Sequence, residues 1–293
     1  MGAADVVPGV SGGTIAFISG IYEQLLQAIQ AVNPGALKVL FRQGFAAFWL
    51  HIHGTFLAVL VSGILLSAIS FARLLSYVLA HFPLLVWGFF FGLIVGSVIY
   101  VWRQIPVRGL PCWLLLVLGA GIVLTTAFAS QVQIQPTPLN IFGAGMLAIC
   151  AMILPGISGS FILLLLGMYP VILDAVAETE LSTLAIFVGG CVTGLLLFSR
   201  FLSWLLTRFH NFTLATLTGF LVGSLAVVWP WKRLELTTDE ATHTVTSTHL
   251  LLPSSYAQTI GDSQWLAVLG LMTVGLLLVL VLEYAGGERR ARL

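Results

Sequence analysis

A Pro-Gly-x-Ser-Gly motif occurs twice in this 293-residue chain, and its repetition constrains the fold more than any other feature. Residues 7–14 read Val-Pro-Gly-Val-Ser-Gly-Gly-Thr and residues 154–161 read Leu-Pro-Gly-Ile-Ser-Gly-Ser-Phe, an offset of 147 residues (155 minus 8). The copies continue in register through Gly-Ile-Tyr at 20–22 and Gly-Met-Tyr at 167–169. We therefore infer that a whole structural unit has been duplicated.

The composition is typical of a polytopic membrane protein. Hydrophobic residues make up 59% of the chain and charged residues only 8%, and the mean hydropathy is +1.05, far above a soluble domain. The net charge of +1 does not indicate nucleic-acid binding. We expect no metal or cofactor, because the three cysteines lack metal-ligand spacing and lie in apolar segments where they would pack as small hydrophobic residues: Cys112, Cys150 and Cys191.

We expect each motif to break a membrane helix, because Pro and Gly interrupt the backbone hydrogen bonding of an otherwise apolar run. The helix that resumes after the break begins with N–H groups that lack intrahelical partners, and such an N-terminus can hold an anion. Residues 139–173 carry no charge; they are too long for one span of ~20 residues and too short for two spans with a normal connection. A re-entrant hairpin of two half-helices is predicted there.

Around the motifs the chain predicts two similar sets of spans. The first motif follows Met1 closely, so we expect the true start to lie upstream by roughly one half-helix, on the order of 10 to 15 residues. The predicted elements are a helix over 15–32, an amphipathic surface connector over 34–53, spans at 55–72, 84–101, 112–128 and 264–282, and a polar loop over 230–262. Arg73, Ser76 and His81 are predicted to separate the first two spans.

A second set of matches has an offset of 127 residues (200 minus 73). Residues 73–77 align with 200–204, and the pair Gly92/Gly96 aligns with Gly219/Gly223. The last span matches the third span more weakly, through Trp113 and Trp265. These matches predict that the repeats comprise residues 1–130 and 131–293.

The distribution of charge gives an orientation in which cytoplasmic loops carry most Lys and Arg. The corresponding spans of the two copies then cross in opposite directions. The sequence therefore predicts an all-α polytopic membrane protein of two inverted repeats, each a re-entrant helical hairpin plus three spans, forming one transmembrane domain. The predicted cytoplasmic cations are Lys38, Arg42, Arg103, Arg108, Arg200, Arg208, Arg289, Arg290 and Arg292; Arg73, Lys232 and Arg233 are exceptions.

Inverted repeats with broken helices are the plan of alternating-access transporters, whose substrates lie between the half-helix ends. Backbone N–H groups and small hydroxyls at both tips suit a phosphate or a carboxylate. The alternative is that the motifs only let helices pack closely, as small residues do in membranes. The candidate substrate-binding residues are Pro8, Gly9, Ser11, Gly12, Gly13, Thr14, Pro155, Gly156, Ser158, Gly159 and Ser160.

Four ionisable residues are further candidates. Arg73 and Arg200 occupy matching positions and would clamp an anion from opposite sides, or else extend to the lipid headgroups. Glu23 and Asp5 lie near the first motif and are candidates for coupling transport to protons or sodium. The repeat gives Glu23 no support, because its counterpart is Pro170.

No convincing enzyme motif is present. Neither a nucleotide-binding P-loop nor His-Glu-x-x-His occurs. Residues 9–13 formally match Gly-x-Ser-x-Gly, but they lack the strand-turn-helix setting of a nucleophile elbow, and the second copy ends in Ser160 instead of Gly. We expect a membrane transporter that is not an enzyme.

Residues 2–16, Gly-Ala-Ala-Asp-Val-Val-Pro-Gly-Val-Ser-Gly-Gly-Thr-Ile-Ala, resemble the signature of the bacterial polyprenyl-phosphate transporter family, formerly a domain of unknown function. Residues 154–160 resemble its second signature, and the resemblance covers essentially the whole chain. The resemblance implies a multi-pass protein of the bacterial inner membrane. It also implies an activity that returns undecaprenyl phosphate, the lipid carrier of cell-wall synthesis, from the outer to the cytoplasmic leaflet.

Two other functions stay open at this point. An ion-coupled transporter of a small soluble anion would use the same architecture with an enclosed aqueous cavity. A lipid-binding membrane sensor would bind without turnover. The coupling ion, the lipid-chain specificity and the oligomeric state do not follow from the sequence.

Overall fold

The computed structural model describes residues 1–2, 12–127, 134–239 and 242–290, and it is mostly helical (81%). In the first half the helices are α1 (Gly12–Ile18), α2 (Tyr22–Ala31), α3 (Pro34–Gln43), α4 (Phe45–His51), α5 (Gly54–His81), α6 (Pro83–Arg103) and α7 (Leu110–Ala127). In the second half they are α8 (Pro138–Ile153), α9 (Gly159–Leu165), α10 (Tyr169–Ala177), α11 (Leu181–Arg208), α12 (His210–Val227), α13 (Pro253–Thr259) and α14 (Trp265–Arg290).

Among the described residues, four helices are long and apolar enough to cross a membrane, and up to six spans result if each of two bent helix pairs counts as one. The four are α6, α11, α12 and α14, and the bent pairs are α4 with the start of α5, and α9 with α10. The prediction of a helical, polytopic membrane protein is therefore confirmed at this level.

The predicted polar loop over 230–262 is wrong in its secondary structure. Strand β1 (Lys232–Asp239) pairs antiparallel with β2 (Thr242–Leu250), and α13 follows. Alternating Thr, Leu and Val residues in this segment favour a strand, because β-branched side chains fit a pleated surface. The fold is thus all-α only within its membrane-spanning part.

Two other boundaries differ from the prediction. The helix predicted over 15–32 is broken at Gly20, whose positive φ of 71° is available to glycine without strain. Residues Arg73, Ser76 and His81 do not separate two spans, because α5 continues through all three before Phe82 ends it. A single 28-residue helix results, about 42 Å long.

Equivalent segments adopt the same local structure at both offsets. The bounds of α1 and α9 differ by 147 residues (159 minus 12), and Gly167 matches Gly20 with a φ of 67°. The bounds of α5 and α11 differ by 127 (181 minus 54). The residues that cap these helices, Phe82 and Phe209, have φ/ψ of −134°/49° and −133°/47°.

Glycines bring the membrane helices into backbone contact in two equivalent pairs. In the α7–α12 pair, Gly119 lies against the Thr216 carbonyl; in the α6–α14 pair, Gly275 lies against the Phe89 carbonyl. The two equivalent glycines are 156 residues apart (275 minus 119), so the third span aligns with the last span at that offset. The weaker match through Trp113 and Trp265 has an offset of 152 and is therefore one helical turn out of register. In both pairs, residues further along one helix contact residues further along the other, so the two helices run parallel.

Helices α6 and α12 run in opposite directions. The start of α6 lies beside the residues that follow α12, because the Phe91 and Trp229 rings are 5.4 Å apart. The end of α6 lies beside the start of α12, where Tyr100 and Leu214 line the same cavity. Arg103 at the end of α6 therefore shares a face of the protein with Arg208 and His210. This face is the predicted cytoplasmic side.

Lys232 lies on the opposite face and is held there by specific contacts. Its Nζ donates a hydrogen bond of 2.7 Å to the Val227 carbonyl at the end of α12 and lies 3.7 Å from the centroid of the Trp87 ring. Both interactions favour a cation, by the helix dipole and by the ring quadrupole. Desolvation is nevertheless stronger and lowers the pKa of Lys232 to about 8. These contacts explain why a lysine lies on this face, where the distribution of charge predicts few Lys and Arg residues.

The close approach of α7 to α12 gives a first prediction. A methyl group at Gly119 would lie 2.6 Å from the Thr216 carbonyl oxygen, whereas nothing lies within 4 Å of one at Gly121 on the same helix. We expect Gly119→Ala to lower the unfolding temperature in detergent by several degrees and Gly121→Ala to leave it unchanged or slightly raised, because alanine favours helix. Equal effects of the two variants would contradict the described packing.

The burial of Lys232 gives a second prediction. Its pKa is lower in the folded protein, about 8, than the ordinary 10.5, so between these pH values the unfolded chain binds more protons. The free energy of unfolding should therefore rise from pH 8 towards pH 10.5. Lys232→Met should remove this rise in melting experiments, while Lys38→Met, at an exposed position, should retain it. Parallel pH profiles of wild type and Lys232→Met would contradict the assignment.

Candidate functional site

The two motifs meet inside the protein. The Gly156 backbone N–H, in the second motif, donates a hydrogen bond of 3.0 Å to Thr14 Oγ1 in the first motif, across 142 residues of chain. Thr14 is only 2% exposed. A side chain at Gly13 would have its Cβ 2.5 Å from the Ile153 carbonyl oxygen, so α1 contacts the end of α8 directly. The structure thus brings Gly12, Gly13 and Thr14 to the break between α8 and α9.

The break itself depends on Pro155 and Gly156. The chain leaves α8 in an extended conformation at Leu154, with φ/ψ of −69°/129°, as expected for a residue that precedes proline. Gly156 then adopts a φ of 88°, and a Cβ there would lie 2.8 Å from the Phe220 carbonyl oxygen of α12. Both the backbone conformation and the space require glycine at this position.

Two serine hydroxyls lie where the chain resumes helical structure in α9. Ser158 Oγ and Ser160 Oγ are 2.9 Å apart and hydrogen-bonded to each other, and Ser158 is 9% exposed. Gly159 between them packs against α8, where its Cβ would lie 2.5 Å from the Ala148 carbonyl oxygen. The resumed helix has only seven residues before Gly167 ends it, so it is shorter than the predicted half-helix. The hydroxyls and adjacent N–H groups are the local donors for an anion.

Tyr22 is a contact residue that the sequence analysis did not identify. Its hydroxyl donates a hydrogen bond of 3.1 Å to the Ile153 carbonyl, so α2 is tied to the same end of α8 that α1 contacts. The side chain is 3% exposed, and its ring lies 4.8 Å from that of Phe17. The sequence contained an indication of this residue, because Tyr22 and Tyr169 end the two copies of the repeated segment.

Glu23 lies beside this contact at an exposed position. With Tyr22, Tyr100 and Gln104 it lines a cavity of about 80 Å³, on the face that carries Arg103 and Arg208. This volume holds a few water molecules and is too small for a lipid headgroup. Glu23 therefore follows directly after Tyr22, which contacts the end of α8, and shares the cavity with Phe17 and Tyr22.

The remaining candidates have different positions. Arg200 is exposed on α11, about two turns before the helix ends, and next to Ser199, whose carbonyl accepts a hydrogen bond of 3.0 Å from Gln30 Nε2. The structure places Arg200 on the outside of the helix bundle, away from the buried motif contact. Arg73 lies within α5, but its side chain is outside the described part, as are residues Asp5, Pro8, Gly9 and Ser11 altogether.

The described residues contain no group of three or more His, Cys, Asp or Glu side chains placed to hold a metal ion. The three cysteines are free thiols in this part of the protein. An ion pair of 3.7 Å joins Arg103 to Glu283 and links the ends of α6 and α14 on the predicted cytoplasmic side.

Comparisons with known proteins bear on what this arrangement does. Residues 1–246 match a family model described as undecaprenyl phosphate translocase-like. A relative from Vibrio cholerae serotype O1, named polyprenyl-phosphate transporter, is 48% identical over 286 residues, covering 97% of this chain and 93% of the relative. A Staphylococcus aureus protein of the same name is 34% identical over 248 residues, covering 78% of this chain and 83% of that protein. No solved structure matches.

Both relatives are named as transporters and not as enzymes, which confirms the prediction of a transporter family. The family resemblance carried by residues 2–16 and 154–160 is confirmed as well. The buried contact between Thr14 and Gly156 joins these two signatures in space. This chain belongs to the undecaprenyl phosphate translocase-like family.

Proposed function

We propose that the protein is a polyprenyl-phosphate translocase that carries undecaprenyl phosphate from the outer to the cytoplasmic leaflet of the bacterial inner membrane, which returns the lipid carrier to cell-wall synthesis. The observation that carries this proposal is the buried hydrogen bond between Thr14 and Gly156, which joins α1 to the break after α8 in a chain whose relatives are named for this lipid class. A phosphate crossing a bilayer needs polar groups to replace its hydration.

The proposal includes two inverted repeats, residues 1–130 and 131–293. The matching bounds of α1 with α9 and of α5 with α11 support it, as do the opposite directions of α6 and α12. The helix pairs also join the two repeats, since α6 of the first repeat packs on α14 of the second and α7 of the first packs on α12 of the second. In such a fold the two re-entrant hairpins would move against a frame that both repeats build together.

We assign the phosphate to the region where the motifs meet. Ser158 and Ser160 supply hydroxyls, and the donors of the first motif include residues 11–14. The role of Pro8, Gly9, Pro155 and Gly156 is to break the helices so that backbone N–H groups become available. Arg200 would bind the phosphate only after a rearrangement, because it is exposed on α11; a role near the headgroups fits its present position better. Arg73, its counterpart, takes the same role in the proposal.

Coupling to protons or sodium is assigned to Glu23, with Asp5 as the second candidate. Glu23 lines a small polar cavity on the predicted cytoplasmic side, beside Tyr22, whose hydroxyl reaches the second hairpin. Binding of a proton or cation to Glu23 would thus change the charge next to Tyr22, whose hydroxyl contacts the Ile153 carbonyl.

The direct test is translocation of a labelled polyprenyl phosphate in proteoliposomes. We expect transport by the wild type and a loss of about a hundredfold or more for the Ser158→Ala/Ser160→Ala double variant, because each hydroxyl bound to an anion contributes about 1.5–3 kcal/mol. Ser67→Ala on α5, a hydroxyl bonded to the Ile64 carbonyl, is the control and should transport normally.

Different results separate the competing functions. Transport of the free anion without the lipid would favour a soluble-anion transporter, and binding of the lipid without movement by a folded protein would favour a sensor. A Glu23→Gln variant should lose the pH dependence of transport. Unchanged pH dependence in this variant would remove Glu23 from the coupling mechanism.

Thr14 gives a separate prediction. Thr14→Val keeps the shape of the side chain but leaves the buried Gly156 N–H without its acceptor, at a cost of about 1–3 kcal/mol. We expect this variant to unfold at lower temperature and to transport slowly. Thr14→Ser retains the hydroxyl and should recover most of both properties. Equal behaviour of the two variants would show that the hydroxyl is not important.

A further inference from the structure

An apolar groove of about 340 Å³ runs along the outside of the α11–α12 pair and ends at the second motif. Phe201, Phe209 and Phe212, which line it, are 51%, 41% and 42% exposed, so the groove is open towards the lipid. Leu154, the residue before the Pro-Gly break, lines its inner end. Five phenylalanines contribute to the lining: Phe198, Phe201, Phe209, Phe212 and Phe220.

The groove is suited to a hydrocarbon chain and not to a headgroup. Its threonines use their hydroxyls internally, because Thr213 Oγ1 donates to the Phe209 carbonyl and Thr216 Oγ1 donates to the Phe212 carbonyl, both at 3.0 Å. The remaining lining is aliphatic or aromatic. A polar group placed here would lose its hydration without gaining a partner.

A cleft of about 420 Å³ continues from this groove on the predicted cytoplasmic side, and its lining is largely apolar apart from three polar side chains. Phe209 and Phe212 line both, and the cleft adds Arg208, His210 and Asn211. None of the described residues that line the cleft carries a carboxylate, and within the described part of the chain Arg208 forms no ion pair. The cleft therefore presents positive charge beside an apolar groove, which is complementary to an anionic amphiphile.

The length of the groove matches one leaflet. From Phe198 to Phe209, the residue that caps α11, it follows eleven residues (209 minus 198), or about 16 Å of helix rise, against a hydrocarbon core of about 30 Å. A lipid of the cytoplasmic leaflet has its headgroup at the interface and its chain directed to the midplane. The cleft lies where the headgroup would be, the groove lies where the chain would be, and the inner end of the groove reaches the second motif at Leu154.

We propose that this combined site holds a polyprenyl phosphate in the cytoplasmic leaflet, as the state from which the lipid is released. The phosphate lies in the cleft with Arg208, and the isoprenoid chain lies in the phenylalanine-lined groove with its proximal part directed towards Leu154. This inference rests on the proposed function. It adds a second phosphate position, at the membrane surface, to the one at the meeting of the motifs.

The first test is photo-crosslinking in liposomes of phosphatidylethanolamine and phosphatidylglycerol that contain undecaprenyl phosphate as a minor component. Benzoylphenylalanine replaces Phe212 in the groove or, as a control, Val188, which is 54% exposed on α11 and does not line the groove. We expect mass spectrometry to find undecaprenyl phosphate enriched several-fold over its mole fraction at position 212 only. Equal enrichment at both positions, or equal enrichment of phosphatidylglycerol at 212, would overturn the proposal.

The second test measures Arg208→Gln in the same liposomes, with Arg42→Gln on α3 as an exposed cation outside the site. We expect Arg208→Gln to reduce crosslinking of undecaprenyl phosphate at position 212 about tenfold and Arg42→Gln to leave it unchanged. Crosslinking that is insensitive to Arg208→Gln would overturn the headgroup assignment. Because crosslinking requires no transport, specific capture by a protein that does not translocate the lipid would refute the proposed function and still support this site.

Discussion

A helix that breaks inside a membrane must satisfy its freed backbone groups within the protein, because lipid offers no hydrogen-bonding partner. The break after α8 meets this requirement with a residue from the other half of the chain: the Gly156 N–H donates to the hydroxyl of Thr14. Tyr22 adds a second bond of the same kind, to the Ile153 carbonyl. Helices α1 and α2 are therefore held to the end of α8 by the polar groups that the break exposes, and a movement of either side must exchange these bonds for others.

Packing of the long helices supplies a frame for this junction. Pairs α6–α14 and α7–α12 approach to backbone contact at glycines, which is the principal means of stabilising helix association where lipid weakens the hydrophobic effect. Each pair joins a helix of the first half to one of the second half. Gly156 packs on the Phe220 carbonyl of α12, so the broken segment is held directly against this frame. Each half therefore contributes one helix to each of these pairs.

Much of the membrane architecture follows from the sequence, because apolar length and the Pro-Gly breaks are local signals. The bounds of α6, α7 and α14 agree with the predicted spans to within a few residues, apart from the longer C-terminal end of α14. The continuation of α5 through Arg73 could not be predicted, because a single charge near a span end also fits a loop. The contact of Tyr22 with Ile153 depends on how distant segments pack, and a repeated tyrosine gives no information on its partner. The β-hairpin lies outside the membrane, where hydropathy carries little information about structure.

The central claim is that the two motifs form a single phosphate site. Solid-state NMR tests it most directly, with ¹⁵N-serine-labelled protein in liposomes and the ³¹P nucleus of bound polyprenyl phosphate as the dephasing spin. The account predicts dephasing of the Ser158 and Ser160 amide signals, assigned through their loss in the corresponding alanine variants, and weakening of this dephasing by Thr14→Val. Dephasing confined to other serines in a transport-active sample would contradict the claim.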